Sequence, residues 1–365
     1  GDISVVGGNN ASLGEMYQHL TKKGVAVPNG FAVTADGYRH FLKYNDLEEK
    51  IKNILADLDT KDIENLKERG SEVREHILNA KFPDDLLEEI RSAYKILGGR
   101  DVAVRSSATA EDLPDASFAG QQETYLNIKG NYNLSEATKK CFASLFTDRA
   151  MSYREDKGFN NTEIALSVGV QEMVRSDQAA SGVMFTIDTE SGHPDIIVIN
   201  AAYGLGEYVV KGVVNPDEYY VHKPTLKAGF ESIVGKTVGS KERKLVYSVG
   251  ANTFTQDTRV TKEDQRKYAL SDKEIIELAH SALIIEEHYS KRKGKRQPMD
   301  IEWAKDGRTQ KLFIVQARPE TIYSSRTRNF IEEYQFNQKK GKVLVKGAAV
   351  GSKIGVGVAR VITDV

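Results

Sequence analysis

The apolar positions along the chain fall into two regimes. Between residues 11 and 23, Leu13, Met16 and Leu20 recur at helical spacing after the Gly7-Gly8 pair and before Gly24, which predicts a loop, a helix and a stop. Residues 36–58, 62–78 and 84–97 continue as charged amphipathic helices broken at Pro83 and Gly98-Gly99, so the first hundred residues read as mostly helical. The period shortens at Asp101. Val102 and Val104 alternate as in a strand, a loop rich in Ser, Thr and Asp runs to Gly120, and a second strand is expected at 123–128. Two helices, 134–146 and 148–157, precede strand-like runs at 164–174, 183–187, 196–200, 218–222 and 244–248. A long helix at 272–289 leads into strands at 299–304 and 311–317, joined by a turn at Asp306-Gly307 that favours a hairpin. The stretch 324–340 is polar and linker-like, residues 343–365 open a glycine-rich β segment, and a domain boundary is expected near residue 335.

Composition narrows the class without naming a function. With 365 residues, 40% hydrophobic, and 51 basic against 52 acidic side chains, the chain has an ordinary globular make-up. Its length suits two or three domains, or one large domain with lobes. The near-zero net charge gives no general pull toward nucleic acid or membrane, so neither is an expected partner and a charged ligand must be met locally. No apolar run approaches the ~18–20 residues of a membrane helix, and no secretory signal is visible. The lone cysteine, Cys141, excludes an internal disulfide and a Cys-rich zinc site and suits a reducing cytosol, so a cytoplasmic location is expected. The chain opens at Gly1 and stops after a strand-like run, the pattern expected of a fragment.

The hairpin carries the sharpest local chemistry. Residues two apart on a strand share a face, so Asp300 and Glu302 point one way while Ile301 and Trp303 point the other; Gln316 and Arg318 pair similarly on the returning strand. Hard oxygen donors of this kind suit magnesium shared with phosphate, and an adjacent arginine grips phosphate in a fork. Spacing alone leaves a second reading open, a solvated strand face with a surface Glu–Arg pair. Arg105 stands at a strand end before a loop closing on Ser117-Phe118-Ala119-Gly120-Gln121-Gln122, which reads either as a phosphate cradle or as a surface turn. The segment Gly229 to Thr237 nearly spells a Walker loop, but with one residue too many and with strand where a helix is demanded. Gly204-Leu205-Gly206 lacks the third glycine of a dinucleotide fingerprint, position 209 being valine. The seven histidines show no metal spacing, Cys141 sits on an apolar helical face as a buried thiol, and the basic run 291–296 reads as a solvated loop.

Val6-Gly7-Gly8 with Ala11-Ser12-Leu13-Gly14-Glu15-Met16, Val27-Pro28-Asn29-Gly30-Phe31, the stretches 104–111, 117–124, 170–174 and 204–207, Asn215-Pro216-Asp217-Glu218, and 299–303 with 315–320 form an ordered set. Together they resemble the phosphoenolpyruvate synthase (pyruvate, water dikinase) family, more than pyruvate, phosphate dikinases or rifampicin phosphotransferases. The resemblance implies an α+β ATP-grasp fold over residues 1–335, with a helical N-terminal portion and two lobes, roughly 1–165 and 166–335, closing on ATP and Mg2+. Residues 336–365 would be a linker and the first strands of a truncated swivelling phosphohistidine domain. Carried over motif by motif, Arg105 and Arg318 are the catalytic phosphate contacts. Ser117, Gly120, Gln121 and Gln122 form the phosphate loop, Gln171, Met173 and Val174 lie along the adenine, and Glu207 lies near the ribose or phosphates. Asp300 and Glu302 hold magnesium, and Gln316 completes the phosphate site.

In such a family the β,γ part of ATP passes to a histidine on the swivelling domain, phosphate is lost, and the remaining phosphoryl group passes to pyruvate on a third domain. The implied partners are therefore ATP, the phosphohistidine domain and the pyruvate-binding domain, with a homodimer as the implied full-length assembly. Two departures stand out. Asn9 occupies the place where the family's glycine pair is followed by a phosphate-contacting lysine, and losing a charge-assisted contact of about 1.5–3 kcal/mol weakens binding roughly ten- to a hundredfold. The threonine–cysteine–histidine motif and the pyruvate-binding domain are absent, so this chain alone is not expected to make phosphoenolpyruvate. The alternatives are a catalytically silent nucleotide-binding or regulatory module, or the ATP domain of a related dikinase.

Overall fold

Caps and left-handed residues decide where the helices begin and end. A computed structural model describes residues 2–109, 123–159, 164–248 and 254–320, together with 342, 344–345 and 355–358. Helix α1 (Ile3–His19) is capped by Asp2, whose carboxylate accepts from the Ser4 N–H, and it kinks at Gly7 (φ 73°, ψ 167°). The loop expected before residue 11 is thus a bent helical turn, while Gly24 (φ 93°) supplies the expected stop. Strand β1 (Gly30–Val33) follows. The single helix expected over 36–58 is two, α2 (Ala35–Tyr44) and α3 (Leu47–Ile54), because Asp46 adopts a left-handed conformation at φ 53°. Helices α4 (Ile63–Asn79), capped by Asp62, and α5 (Asp84–Ile96) complete the helical stretch.

The first sheet is built from β1, β2 (Val102–Ala108), β3 (Thr124–Ile128) and β4 (Leu166–Glu172), in the order β1-β4-β2-β3 with every pair antiparallel. Helices α6 (Asn131–Ala143) and α7 (Asp148–Asp156) lie between β3 and β4 in the chain. One face of this sheet, carrying Val102, Val104, Val168 and Val170, packs with Phe41, Ile77, Phe142 and the buried Cys141 in a helix-covered core. Burial pushes the Cys141 thiol up and out of the reactive range, in keeping with a structural thiol.

The second sheet has six antiparallel strands in the order β12-β11-β5-β6-β7-β8. They are β5 (Ala180–Phe185), β6 (Ile196–Tyr203), β7 (Asp217–His222), β8 (Ile233–Thr237), β11 (Met299–Lys305) and β12 (Leu312–Pro319). Strands β9 (Arg243–Tyr247) and β10 (Thr255–Arg259) form a separate ribbon, and short helices α8 (Glu207–Val210), α9 (Lys223–Lys227) and α10 (Lys262–Gln265) connect the pieces. Because 233–237 is a strand followed by β9, the rejection of a Walker loop stands. The long helix α11 (Asp272–Lys293) starts with a capping box between Ser271 and Glu274 and buries Ile275, Leu278, Ala282 and Ile285 against the sheet. Met16, Leu20, Val25 and Val27 join this second core rather than the first. The C-terminal part of helix α1 thus packs on a sheet made from residues about 160 positions further along the chain.

A buried charge knot fixes the start of β7 in the second sheet. Asp217 and Lys241 are both fully inaccessible and paired, and Asp217 also accepts from the N–H groups of Gly239 (2.9 Å) and Ala269 (2.7 Å) and from the Tyr219 hydroxyl (3.2 Å). The Asn215–Glu218 stretch therefore has a structural role, its buried carboxylate tying β7 to two loops. Removing one partner strands the other in a dry interior. Asp217→Ala is expected to lower the free energy of unfolding by about 3–5 kcal/mol, read from denaturant midpoints; an unchanged midpoint would show that Lys241 is satisfied without it.

Candidate functional site

On the first sheet, β2 and β4 turn opposite faces to two different neighbours. Their valines face the helices; Ala103, Arg105 and Ser107 face the other way, opposite Gln171, Gly169 and Ser167. This second face is polar and built of small side chains, and the kinked turn of α1 lies on it. A Cβ at Gly7 would run into the side chain and carbonyl of Ser107, and the positive φ there already disfavours any other residue. Beside it the Asn10 amide donates to Ser167 Oγ at 2.8 Å, and Asn9 is buried in the same turn at 4% exposure. Gly169 leaves room for the Asn10 amide, which a Cβ would displace. The glycine pair, Ser107 and Arg105 are therefore neighbours around one surface.

On the second sheet, antiparallel register places Asp300 opposite Arg318 and Glu302 opposite Gln316, as the period-two reading requires. Ile301 and Trp303 are buried on the other face. Arg318 donates to Asp300 Oδ2 through Nε (2.8 Å) and Nη2 (2.7 Å), a two-pronged grip. Arg105 then reaches across from the first sheet. Its Nη2 lies 3.4 Å from Glu302 Oε2 and its Nη1 donates to Gln316 Oε1, contacts that span 197 and 211 positions of sequence. Side-chain exposures of 20% for Arg105, 22% for Glu302 and 15% for Asp300 describe a cleft, open to a ligand yet poorly hydrated. The alternative of a wholly solvated strand face is excluded by these values.

Burial and neighbouring charges act on the carboxylates of the cleft in opposite directions. Burial pushes the Asp300 carboxyl up; Arg318 pulls it back, and Glu302 and Glu320 push it up again, so the net displacement is upward. Asp300 and Glu302, with the carbonyl oxygen of Gln316 opposite Glu302 added to the pair the resemblance implies, form a hard-oxygen donor set that fits Mg2+, with its remaining positions left to water or phosphate. Among the described residues no group of three or more His, Cys, Asp or Glu side chains is placed to hold a metal.

The remaining candidates divide. Gln171 shares the polar face with Arg105, while Met173 and Val174 lead into the 3-10 turn at Ser176–Gln178 that joins the first sheet to β5; the Met173 N–H donates to the Asp101 carbonyl. Ser117, Gly120, Gln121 and Gln122 lie outside the described residues, as does most of 336–365. Glu207 begins α8, where Lys211 holds it at 2.6 Å, and among the described residues neither hydrogen bond nor ion pair joins it to Asp300, Glu302 or Arg105. The basic run is partly consumed in pairs, Lys291 with Glu287 and Arg296 with Glu286.

A clasp that sequence reasoning missed anchors α1. Glu15, on its buried side, accepts from His288 (2.8 Å) and Arg292 (2.6 Å) of α11, with His19 at 3.8 Å. Ser12 bonds the Tyr289 hydroxyl and the Ala317 carbonyl, each at 2.6 Å. Along the sequence Glu15 and His288 give no signal, being 273 positions apart. The helix that lays the glycine turn on the first sheet is thus bolted to the second.

The family model described as pyruvate phosphate dikinase, AMP/ATP-binding domain, matches residues 3–338. Over its whole length the chain is 55% identical to a phosphoenolpyruvate synthase of Aquifex aeolicus, 54% to one of Synechocystis and 49% to one of Escherichia coli, covering 44%, 46% and 46% of those proteins. The chain spans about half the length of these relatives.

The clasp has a pH signature. Burial pushes the Glu15 carboxyl up, but the bonds from His288 and Arg292 outweigh it and hold the group below its ordinary 4.5. Its contribution to stability is therefore full above that value and is lost as the pH falls through the lower folded-state value. Melting temperatures of the parent and Glu15→Gln proteins should differ most near neutrality and converge on acidification. A gap that stays constant down to about pH 3 would mean that Glu15 is not the titrating group.

Proposed function

Because the chain belongs to the pyruvate phosphate dikinase AMP/ATP-binding domain family, we propose that it is the ATP-binding portion of a phosphoenolpyruvate synthase, folded as two ATP-grasp lobes over 1–335. The observation that supports this best is Arg105 of the first sheet meeting Glu302 and Gln316 of the second. In this reading ATP lies between the sheets. Its adenine runs along Gln171, Met173 and Val174, and its phosphates lie toward the α1 turn, Arg105 and Arg318, with Glu207 beside the ribose. Ser117, Gly120, Gln121 and Gln122 are the further phosphate contacts that the family resemblance implies.

The chemistry is phosphoryl transfer with no nucleophile from this part of the protein. Mg2+ held by Asp300, Glu302 and Gln316 would neutralise charge on the phosphate oxygens. Arg105 and Arg318 orient the chain and stabilise charge as the β,γ part leaves AMP for a histidine on a swivelling domain, and positioning does most of the work. Water then releases phosphate, and the retained phosphoryl group goes to pyruvate on a third domain. AMP, phosphate and phosphoenolpyruvate are the products. Residues 336–365 are the link toward the swivelling domain, and the setting is the cytoplasm.

Asn9 favours a second reading, a nucleotide-binding module that has lost turnover, because a buried amide stands where a lysine charge would face the phosphates. The readings separate in two measurements. In calorimetry, Asn9→Lys should tighten Mg-ATP binding roughly ten- to a hundredfold, while Asp300→Ala and Glu302→Ala should abolish its Mg2+ dependence. With ATP labelled at the β-phosphate and the histidine domain supplied as a separate chain, label on the histidine supports the kinase; binding without label, even in Asn9→Lys, supports the silent module. Loss of binding in both parent and Asn9→Lys proteins would sink both.

A further inference from the structure

All three oxygen-bearing side chains assigned to the metal are already engaged by arginine. Asp300 Oδ2 takes both Nε and Nη2 of Arg318; Gln316 Oε1 takes Nη1 of Arg105, and Glu302 lies 3.4 Å from the same guanidinium. A divalent cation entering beside them meets two fixed positive charges in a cleft only about a fifth exposed, where like charges are poorly screened. The same two guanidinium groups are the natural forks for phosphate oxygens. Resting on the nucleotide reading above, we propose that Arg318 and Arg105 are exchangeable counter-ions: they neutralise the carboxylates until a nucleotide arrives, then turn to its phosphates and free the oxygens for the metal.

Metal and nucleotide then bind as a coupled pair, each raising the other's affinity by the same factor. The two arginines contribute differently. Arg318 faces Asp300 within one hairpin, where cross-strand neighbours stay in reach whatever the sheets do, so its exchange needs only side-chain rotation. Arg105 comes from the other sheet, so its exchange also reports how closely the sheets approach.

The test is a titration with Mn2+ alone, following free Mn2+ by electron paramagnetic resonance, and then again with ATP present. Arg318→Gln should bind Mn2+ without nucleotide about tenfold more tightly than the parent and show a smaller coupling factor than the parent, while Arg318→Lys, which keeps the charge, should stay close to the parent. Mn2+ affinity in Arg318→Gln equal to or weaker than the parent's, with native circular dichroism, would overturn the exchange. Arg105→Gln, which frees Glu302 and Gln316, carries the same expectation and serves if Arg318→Gln does not fold. The first titration contains no nucleotide, so its failure is distinct from a failure of ATP to bind, which would count against the functional reading instead.

Discussion

Two carboxylates on the same face of one strand, in a cleft that excludes most water, repel each other and are poorly hydrated, so they persist only beside positive charge. Strand register alone supplies Arg318 to Asp300. Glu302 has no such neighbour in its own hairpin, where Gln316 faces it, and its cation comes from Arg105 on the other sheet. That requirement ties the two sheets together at one point, and it places a polar, charged seam where two apolar cores would otherwise meet. The cores themselves stay on the outer sides, one with Phe41 and Phe142, the other with Trp303 and Met184.

Helix α1 makes the geometry of this seam a property of the fold rather than of two side chains. Its glycine turn fits against Ser107 on the first sheet, while Met16 and Leu20 are buried in the second core and Glu15 and Ser12 are bonded to α11 and to the Ala317 carbonyl of β12. The turn and the hairpin are thereby held to the same body. A ligand touching both would touch parts joined through one helix.

Much of this was legible in the sequence because β-strands obey a strict period of two. The alternation in 299–304 and 311–317 was enough to put Asp300, Glu302, Gln316 and Arg318 on one face, even though a bulge after Glu302 shifts the register beyond it. Strands whose polarity does not alternate were missed: β10 is Thr255-Gln256-Asp257-Thr258-Arg259, with no apolar residue, and the four-residue β1 is too short for a period. The break at Asp46 was invisible since nothing local demands a left-handed aspartate. The membership of α1 in the second core, and its clasp to His288, rest on contacts between residues far apart in the chain, which periodicity does not encode. The proposed phosphate and metal roles, by contrast, rest on motif resemblance; the structure adds that Arg105, Gln316 and Glu302 lie within bonding range of one another.

The central claim is that one ligand bridges the polar face of the first sheet and the hairpin of the second. Amide hydrogen exchange with and without a non-hydrolysable Mg-ATP analogue tests it most directly. The account predicts slowed exchange in the α1 turn, in β2 around Arg105, and in the β11–β12 hairpin together, at the same analogue concentration. Protection confined to one sheet, or appearing on the outer helices while the hairpin is unaffected, would contradict it.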